Sequence, residues 1–424
     1  MRVRGPPLLL CVLLALPTVG LAATASTPAF TTHPAPPGWA ESAGEPSLGV
    51  DPATDAALFQ AYTRTYRVTF DASGAATWSD VTPPHALGTN LDPMLFTDPG
   101  TGQTFAGGLE GECSVFWSTT DEGASWTPVG NACAPPAVDH ETIFAGPAHA
   151  PLTGRMVYYC AHAEVETCSA SPDGGLTFGP SVPIGAGTHP CLGTFGHGRV
   201  GPEGTAYVPA AHCQIGAGVM VSATDGLSWT TTILPASLPP PAGFDPAVAT
   251  TRGGWVYAAF QDAKGREMVT LSKDQGAHWT FPRDAAAGLG LATTTFNALV
   301  AGDDERAAVA FLGTTTPGDA FAAGFPGAWS LYVSFTYDGG QTWTAVQASD
   351  GPVQRGWICA DGLTCSGGRN LLDFIDAAMD GHGRVLVAYA DGCEGCADPS
   401  GSHHAKGTIA RQSGGLGLLA AFDG

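Results

Sequence analysis

One short motif, returning at near-regular intervals around an aromatic residue, limits this chain more than any other feature. It reads Thr120-Asp121-Glu122-Gly123-Ala124-Ser125-Trp126, then Ser171-Pro172-Asp173-Gly174-Gly175-Leu176-Thr177-Phe178. It returns as Ser272-Lys273-Asp274-Gln275-Gly276-Ala277-His278-Trp279 and as Thr336-Tyr337-Asp338-Gly339-Gly340-Gln341-Thr342-Trp343. Two weaker copies stand at Ser73 to Trp78 and at Thr224 to Trp229, the latter one residue short. Asp and Gly tolerate the positive φ of a tight turn, and the carboxylate can accept backbone N–H groups inside it. The ring then folds beneath the turn and covers apolar surface. These aspartates therefore read as structural rather than catalytic. The aromatic positions 78, 126, 178, 229, 279 and 343 lie roughly 50 residues apart, the length of one small sheet.

A second repeat gives the count. A turn followed by an alternating apolar strand occurs at Ala57-Leu58-Phe59, Gln103-Thr104-Phe105, Arg155-Met156-Val157-Tyr158 and Thr205-Ala206-Tyr207. It continues at Trp255-Val256-Tyr257, Ala307-Ala308-Val309 and Arg384-Val385-Leu386-Val387. Period-two alternation bounded by Gly, Asp and Pro is the signature of strands and hairpins. Each repeat also opens on a polar residue before an apolar run: Glu45, Asp92, Asp139, His189, Asp245, Asn297 and Asp373. The expectation is an all-β, seven-bladed propeller of four-stranded antiparallel blades, with six blades as the alternative. Radial repetition hides sheet edges and packs blades face to face around a channel. The last repeat lacks a proper motif and carries Ser413-Gly414-Gly415 in its place.

The motif matches the Asp-box, Ser-x-Asp-x-Gly-x-Thr-Trp, and from about Glu45 to Gly415 the chain resembles the sialidase-like superfamily of Asp-box (BNR-repeat) propellers. That superfamily includes sialidases, xyloglucan-cleaving glycosidases and sortilin-type receptors. The resemblance implies the propeller fold, with Asp-boxes on the face away from the active site. A sialidase would add three carboxylate-clamping arginines, a Tyr–Glu pair, an acidic proton shuttle and an early Phe/Tyr-Arg-Ile-Pro motif. That motif is absent, and Arg64 and Arg67 beside Tyr62 and Tyr66 are the blade-one candidates.

Residues 1–25 read as a secretory signal peptide: Met1-Arg2-Val3-Arg4, an apolar run from Leu8 to Leu16, then small residues at Ala22 to Ala25. Residues 26–40 read as a Pro/Thr-rich linker, and residues 41–424 as a single propeller domain. No stretch approaches the roughly 20 apolar residues of a membrane span, so insertion is not expected. Of eleven cysteines, Cys11 lies in the signal, and the other ten fall into neighbouring pairs. These are Cys113 with Cys133, Cys160 with Cys168, Cys191 with Cys213, Cys359 with Cys365, and Cys393 with Cys396. Connectivity is open from sequence, but pairing neighbours is topologically simplest, and an even set suits an exported protein. A net charge of −21 disfavours nucleic acid and anionic lipid as partners. The expectation is a secreted monomer whose partner is an extracellular glycan or protein.

Chemistry is expected at the face opposite the Asp-boxes, where blade connections and second-to-third-strand loops meet. Blade openings place acids there, and glycoside hydrolysis needs two carboxylates at a fixed separation. Asp92, Asp139 and Asp245 are the catalytic candidates. Glu45, Arg64, Arg355, Trp357, Arg369 and Asp373 are the ligand-binding candidates, with Trp357 as a stacking platform. No cofactor is expected, although crowded acids at the mouth would suit a structural cation. His140, His162, His189 and His212 lack metal-binding spacing, and no metal ligand is assigned. Two functions follow: ligand recognition on the loop face, or glycoside hydrolysis by paired carboxylates.

Overall fold

The computed structural model describes Met1 and residues 27–423, apart from 85–87, 91, 111–112, 131–138, 163–164, 187–189, 192–193, 215, 238–244, 360–363, 394–395 and 397–403. The signal-peptide reading, Met1 aside, falls outside the described residues. After β1 (Ala29–Pro34) come β2–β5 (residues 47–80), β6–β9 (93–128), β10–β13 (139–183), β14–β17 (199–233), β18–β21 (247–284) and β22–β25 (293–347). β26 (Gln354–Arg355) adds to the edge of β24, and β27 (Asp376–Met379), β28 (Val385–Asp391) and β29 (Lys406–Gly414) follow. The first six groups are antiparallel sheets in sequential strand order, and the seventh runs β27, β28, β29, β1. First strands neighbour one another in a closed ring: β2 beside β6, then β10, β14, β18, β22 and β27, which returns to β2. The fold is a seven-bladed propeller.

β1 corrects the linker reading. Its Thr-rich run pairs antiparallel with β29, from Phe30 opposite Gln412 to Pro34 opposite Thr408. The prolines around it are compatible with a strand because β1 is the outermost of its sheet, where a missing N–H leaves no ladder bond unmade. Phe30 packs on the core between blades six and seven, 6.1 Å from the Phe335 ring. Lys406 seals the following segment, its buried Nζ donating to Pro36 O, Trp39 O and Glu41 Oε1.

The same closure explains the missing seventh Asp-box. That motif joins the third strand of a blade to the fourth, and in blade seven the fourth strand comes from the other end of the chain. In the four full copies the hairpin is uniform. Ser171 Oγ donates to Asp173 Oδ1 and accepts from Gly175 N, while Asp173 accepts from Thr177 N and Thr177 Oγ1. Gly175 sits at φ 92°, which favours glycine. The copy at 222–229 is not short. Ser222 takes the first position and Thr224 stands where the others have Asp, accepting from Ser228 N. The aromatic residue closes the seam with the preceding blade: Trp126 Nε1 donates to Val81 O, and Trp279 Nε1 to Thr232 Oγ1. Each blade's apolar side is covered by its neighbour, as where Tyr158 of blade three meets Trp229 of blade four edge-on.

Candidate functional site

On the face opposite the Asp-boxes, the first strands begin around the channel mouth. Four non-glycine residues near those beginnings have positive φ: Glu45 (56°), His140 (47°), Phe296 (54°) and Leu372 (51°). Two of them sit in β-bulges, at Asp139/Glu141 and at Thr295/Ala298. Bulges re-aim side chains, and strained backbone of this kind persists only where its surroundings fix it.

His140 is what the bulge in blade three delivers. Its backbone N–H donates to Asp92 Oδ2 at 2.8 Å, and its Nε2 lies 2.8 Å from Asp245 Oδ2. One residue thus ties the acid of blade two to the acid of blade five. Burial pushes the Asp245 carboxyl up, but the charge and hydrogen bond of His140, with Thr194 and His197, hold it below the ordinary carboxylate range. Asp373 is gripped by both terminal nitrogens of Arg369, Nη2 at 2.6 Å from Oδ2. Glu45 is 3% exposed. Burial first, then the charges of Asp92 and Asp373, push its carboxyl well above the ordinary range, against opposing His140 and Arg369.

The structure gathers Glu45, Asp92, Asp245, Arg369 and Asp373, as the sequence suggested. Asp139 begins β10, and its side chain lies outside the described residues. Arg64 is not at the mouth: it is largely exposed and pairs at 3.5 Å with Asp80 on the outer strand of blade one. Arg355 lies in β26, against the start of β24. Trp357 is half-buried against the core of blades six and seven, so one side of its ring is spent on packing. Of the four histidines, His140 meets Asp245, His162 lies 3.4 Å from Glu166, His212 is exposed, and His189 is outside the described residues.

Sequence reasoning missed the residues that fill the mouth. Phe195, His197 and Phe374 line it, with His197 edge-on to Phe374 at 4.7 Å. Beneath them stands Arg199. It begins the innermost strand of blade four and projects into the channel near Asp376 of blade seven, Nη2 to Oδ1 3.9 Å. The cavity left at the mouth is about 30 Å³, room for a few waters and not a sugar ring. Among the described residues, the group with metal-ligand spacing is Asp55, Asp380 and His382, and it lies in turns on the Asp-box face. Its members are engaged already, His382 Nδ1 with Asp55 Oδ2 at 2.8 Å and Asp380 Oδ2 with Arg411 at 3.3 Å. The cation considered for the mouth gains no support from it.

All four disulfides among the described residues brace this loop face: Cys160–Cys168, Cys191–Cys213, Cys359–Cys365 and Cys393–Cys396. Cys113 is disulfide-bonded too, and its expected partner Cys133 is outside the described residues. Bridges in this number suit an oxidising compartment.

A second buried acid, Glu267 of blade five, lies on the same face. Gln261 Nε2 donates to its Oε2 at 2.7 Å and Thr294 Oγ1 at 3.3 Å. Burial outweighs these bonds and raises its pKa from 4.5 to about 8. An acid raised in the folded state makes stability fall as pH climbs from the unfolded value to the folded one. Glu267→Gln is therefore expected to leave stability near pH 4.5 unchanged and to raise it by about 1–3 kcal/mol at pH 8. Urea unfolding at the two pH values measures this, and equal effects at both would refute it.

No family model matches the chain, and no curated protein does. Solved structures match at the level of the fold. A protein of unknown function from Dyadobacter fermentans aligns at 12% identity and TM-score 0.46, over 90% of this chain and 97% of its own. A mutant Aleuria aurantia lectin in complex with Fucα1-6GlcNAc aligns at 12% and 0.46, over 74% and 98%. A Hadza microbial sialidase aligns at 16% and 0.45, over 76% and 65%. Likenesses this distant carry no activity across.

Proposed function

We propose that this chain is a non-catalytic, exported recognition propeller that binds an extracellular glycan through its loop face, a protein surface being the alternative ligand. The observation that carries the reading is that three of the mouth's carboxylates are each engaged by another side chain or backbone group. Asp92 and Asp245 are held by His140 and Asp373 by Arg369. A hydrolase needs two carboxylates open to substrate at about 5–9.5 Å separation, with space between them for the bond to be cleaved. A cavity of about 30 Å³ does not offer that space. Recognition then falls to the rim, where disulfides fix the loops, as rigid support favours binding. With a net charge of −21, a neutral glycan is a better match than a polyanionic one.

One feature favours hydrolysis as the second reading. Glu45, its carboxyl pushed up by burial and by the charge of Asp92 beside it, resembles the raised acid of a glycosidase pair. A glycan array and a panel of fluorogenic glycosides, run on the same preparation, separate the two. Saturable glycan binding without turnover is expected. Turnover abolished by Glu45→Gln would replace recognition with catalysis, and neither binding nor turnover would leave the protein-ligand alternative.

A further inference from the structure

Below the mouth the channel widens toward the Asp-box face, and its shape and charge differ from those of the rim. The cavity there is about 470 Å³, within the range of small-molecule sites. Inner strands of the blades wall it with Val50, Phe96, Ala145, Leu299, Ala301 and Met379, a mostly apolar surface. Its inner end is Arg199, which lines this cavity and the mouth alike.

We propose that this cavity binds a small organic anion with an apolar body, its carboxylate against Arg199 and its tail toward the Asp-box face. The guanidinium lies 5.8 Å from the Phe96 ring, on the cavity side. Its hydrogen bond among the described residues is Nη1 to its neighbour Gly198 O. Asp376, at 3.9 Å, is beyond hydrogen-bond reach. The Asp376 oxygens are taken by Leu48 N, Ala377 N and Ser47 Oγ. A guanidinium has five N–H donors in a planar fork suited to a carboxylate. With 21% of the side chain still accessible, the unused donors can meet a ligand within the channel.

The rim adds to the attraction. Arg155 and Arg252 also line the cavity, Arg252 exposed and Arg155 paired with Asp98. The lining carboxylate Asp380 is bound by His382 N, Arg384 N and Arg411. Three arginines around one apolar cavity, in a chain of net charge −21, mark it as a local anion site. Apart from Arg199, which reaches both, this site is separate from the loop face and does not depend on what that face binds.

Octanoate and 1-octanol, titrated calorimetrically into the whole protein, test the proposal because they share a tail and differ at the head group. Octanoate is expected to bind at one site about tenfold or more tightly than octanol, the worth of a charge-assisted hydrogen bond. Arg199→Gln should erase that preference while keeping octanol binding. Ala301→Trp fills the cavity without touching the arginine and should abolish both, leaving any loop-face glycan binding intact. Should the Arg199 variant fail to fold, the two probes and Ala301→Trp still decide. Equal affinities, octanoate binding that survives Ala301→Trp, or no saturable binding would overturn the site.

Discussion

A chain beginning at residue 36 rather than residue 27 is expected to lose about 3–6 kcal/mol of stability, at about 0.5–1.5 kcal/mol net for each backbone hydrogen bond lost. The lost segment is β1, whose six residues pair with β29 from Ala29 to Pro34. Phe30 leaves the Phe335 contact, and Thr32 gives up its bond to Asp350. The larger consequence is topological. Among the described residues β1 is the strand that pairs the start of the chain with the last blade, beside a single Ser42–Ala405 bridge, so its removal leaves most of β29 as an open edge. Unpaired edges template association between copies. Denaturant unfolding and size-exclusion chromatography read both effects. A shortened chain that stays monomeric with an unchanged unfolding midpoint would show that the ring closes without this strand.

That strand also shows where sequence reading reaches its limit. The blades were legible because each carries its own local marks: a turn at fixed offset, an aromatic residue after it and a period-two strand before it. β1 has none of them, since it borrows its partners from more than 370 residues away, between Thr32 and Ala410. The weak copy at 222–229 misled for the opposite reason. Asp225 drew the eye as the motif acid, while the hairpin uses the hydroxyl of Thr224. Thr supplies one acceptor oxygen where Asp supplies two, and that suffices for the Ser228 N–H.

At the mouth, the rule that each inner strand opens on a polar residue located Glu45, Asp92, Asp245 and Asp373 correctly. It could not tell what holds them. His140 follows Asp139 in a run that alternation alone would treat as an ordinary strand start. The bulge that turns it toward Asp92 and Asp245 depends on two other blades. Arg199 carries no local mark either. A short innermost strand of two residues puts it on the channel axis, whereas the turn residues after it reach solvent. Contacts across a ring join residues far apart in sequence, and no local pattern encodes them. Arg64 erred in the other direction: the right loop face, but at the outer strand, where Asp80 awaits it.

His140→Asn is expected to destabilise the protein by about 3–5 kcal/mol, because it strips a buried carboxylate of its 2.8 Å partner. Asn is chosen because it tolerates the φ of 47° at this position, so the loss reports the side chain and not the backbone. In the native protein Asp245 titrates below its unfolded value of 3.8. A depressed acid adds stability that is present above the unfolded pKa and lost as pH falls through the folded one, so this contribution fades below about pH 4. Without His140, burial is opposed by Thr194 and His197 alone, and Asp245 rises. The sign then reverses, and the variant should become less stable as pH rises from 4 to 7. Adding Asp245→Asn removes the stranded charge and should recover most of the loss, a coupling that a double-mutant cycle isolates. A single variant within 1 kcal/mol of the native protein, or a pH slope unchanged in sign, would mean that His140 does not neutralise the mouth. The acids there would then be free for chemistry, and the case for a recognition propeller would lose its support.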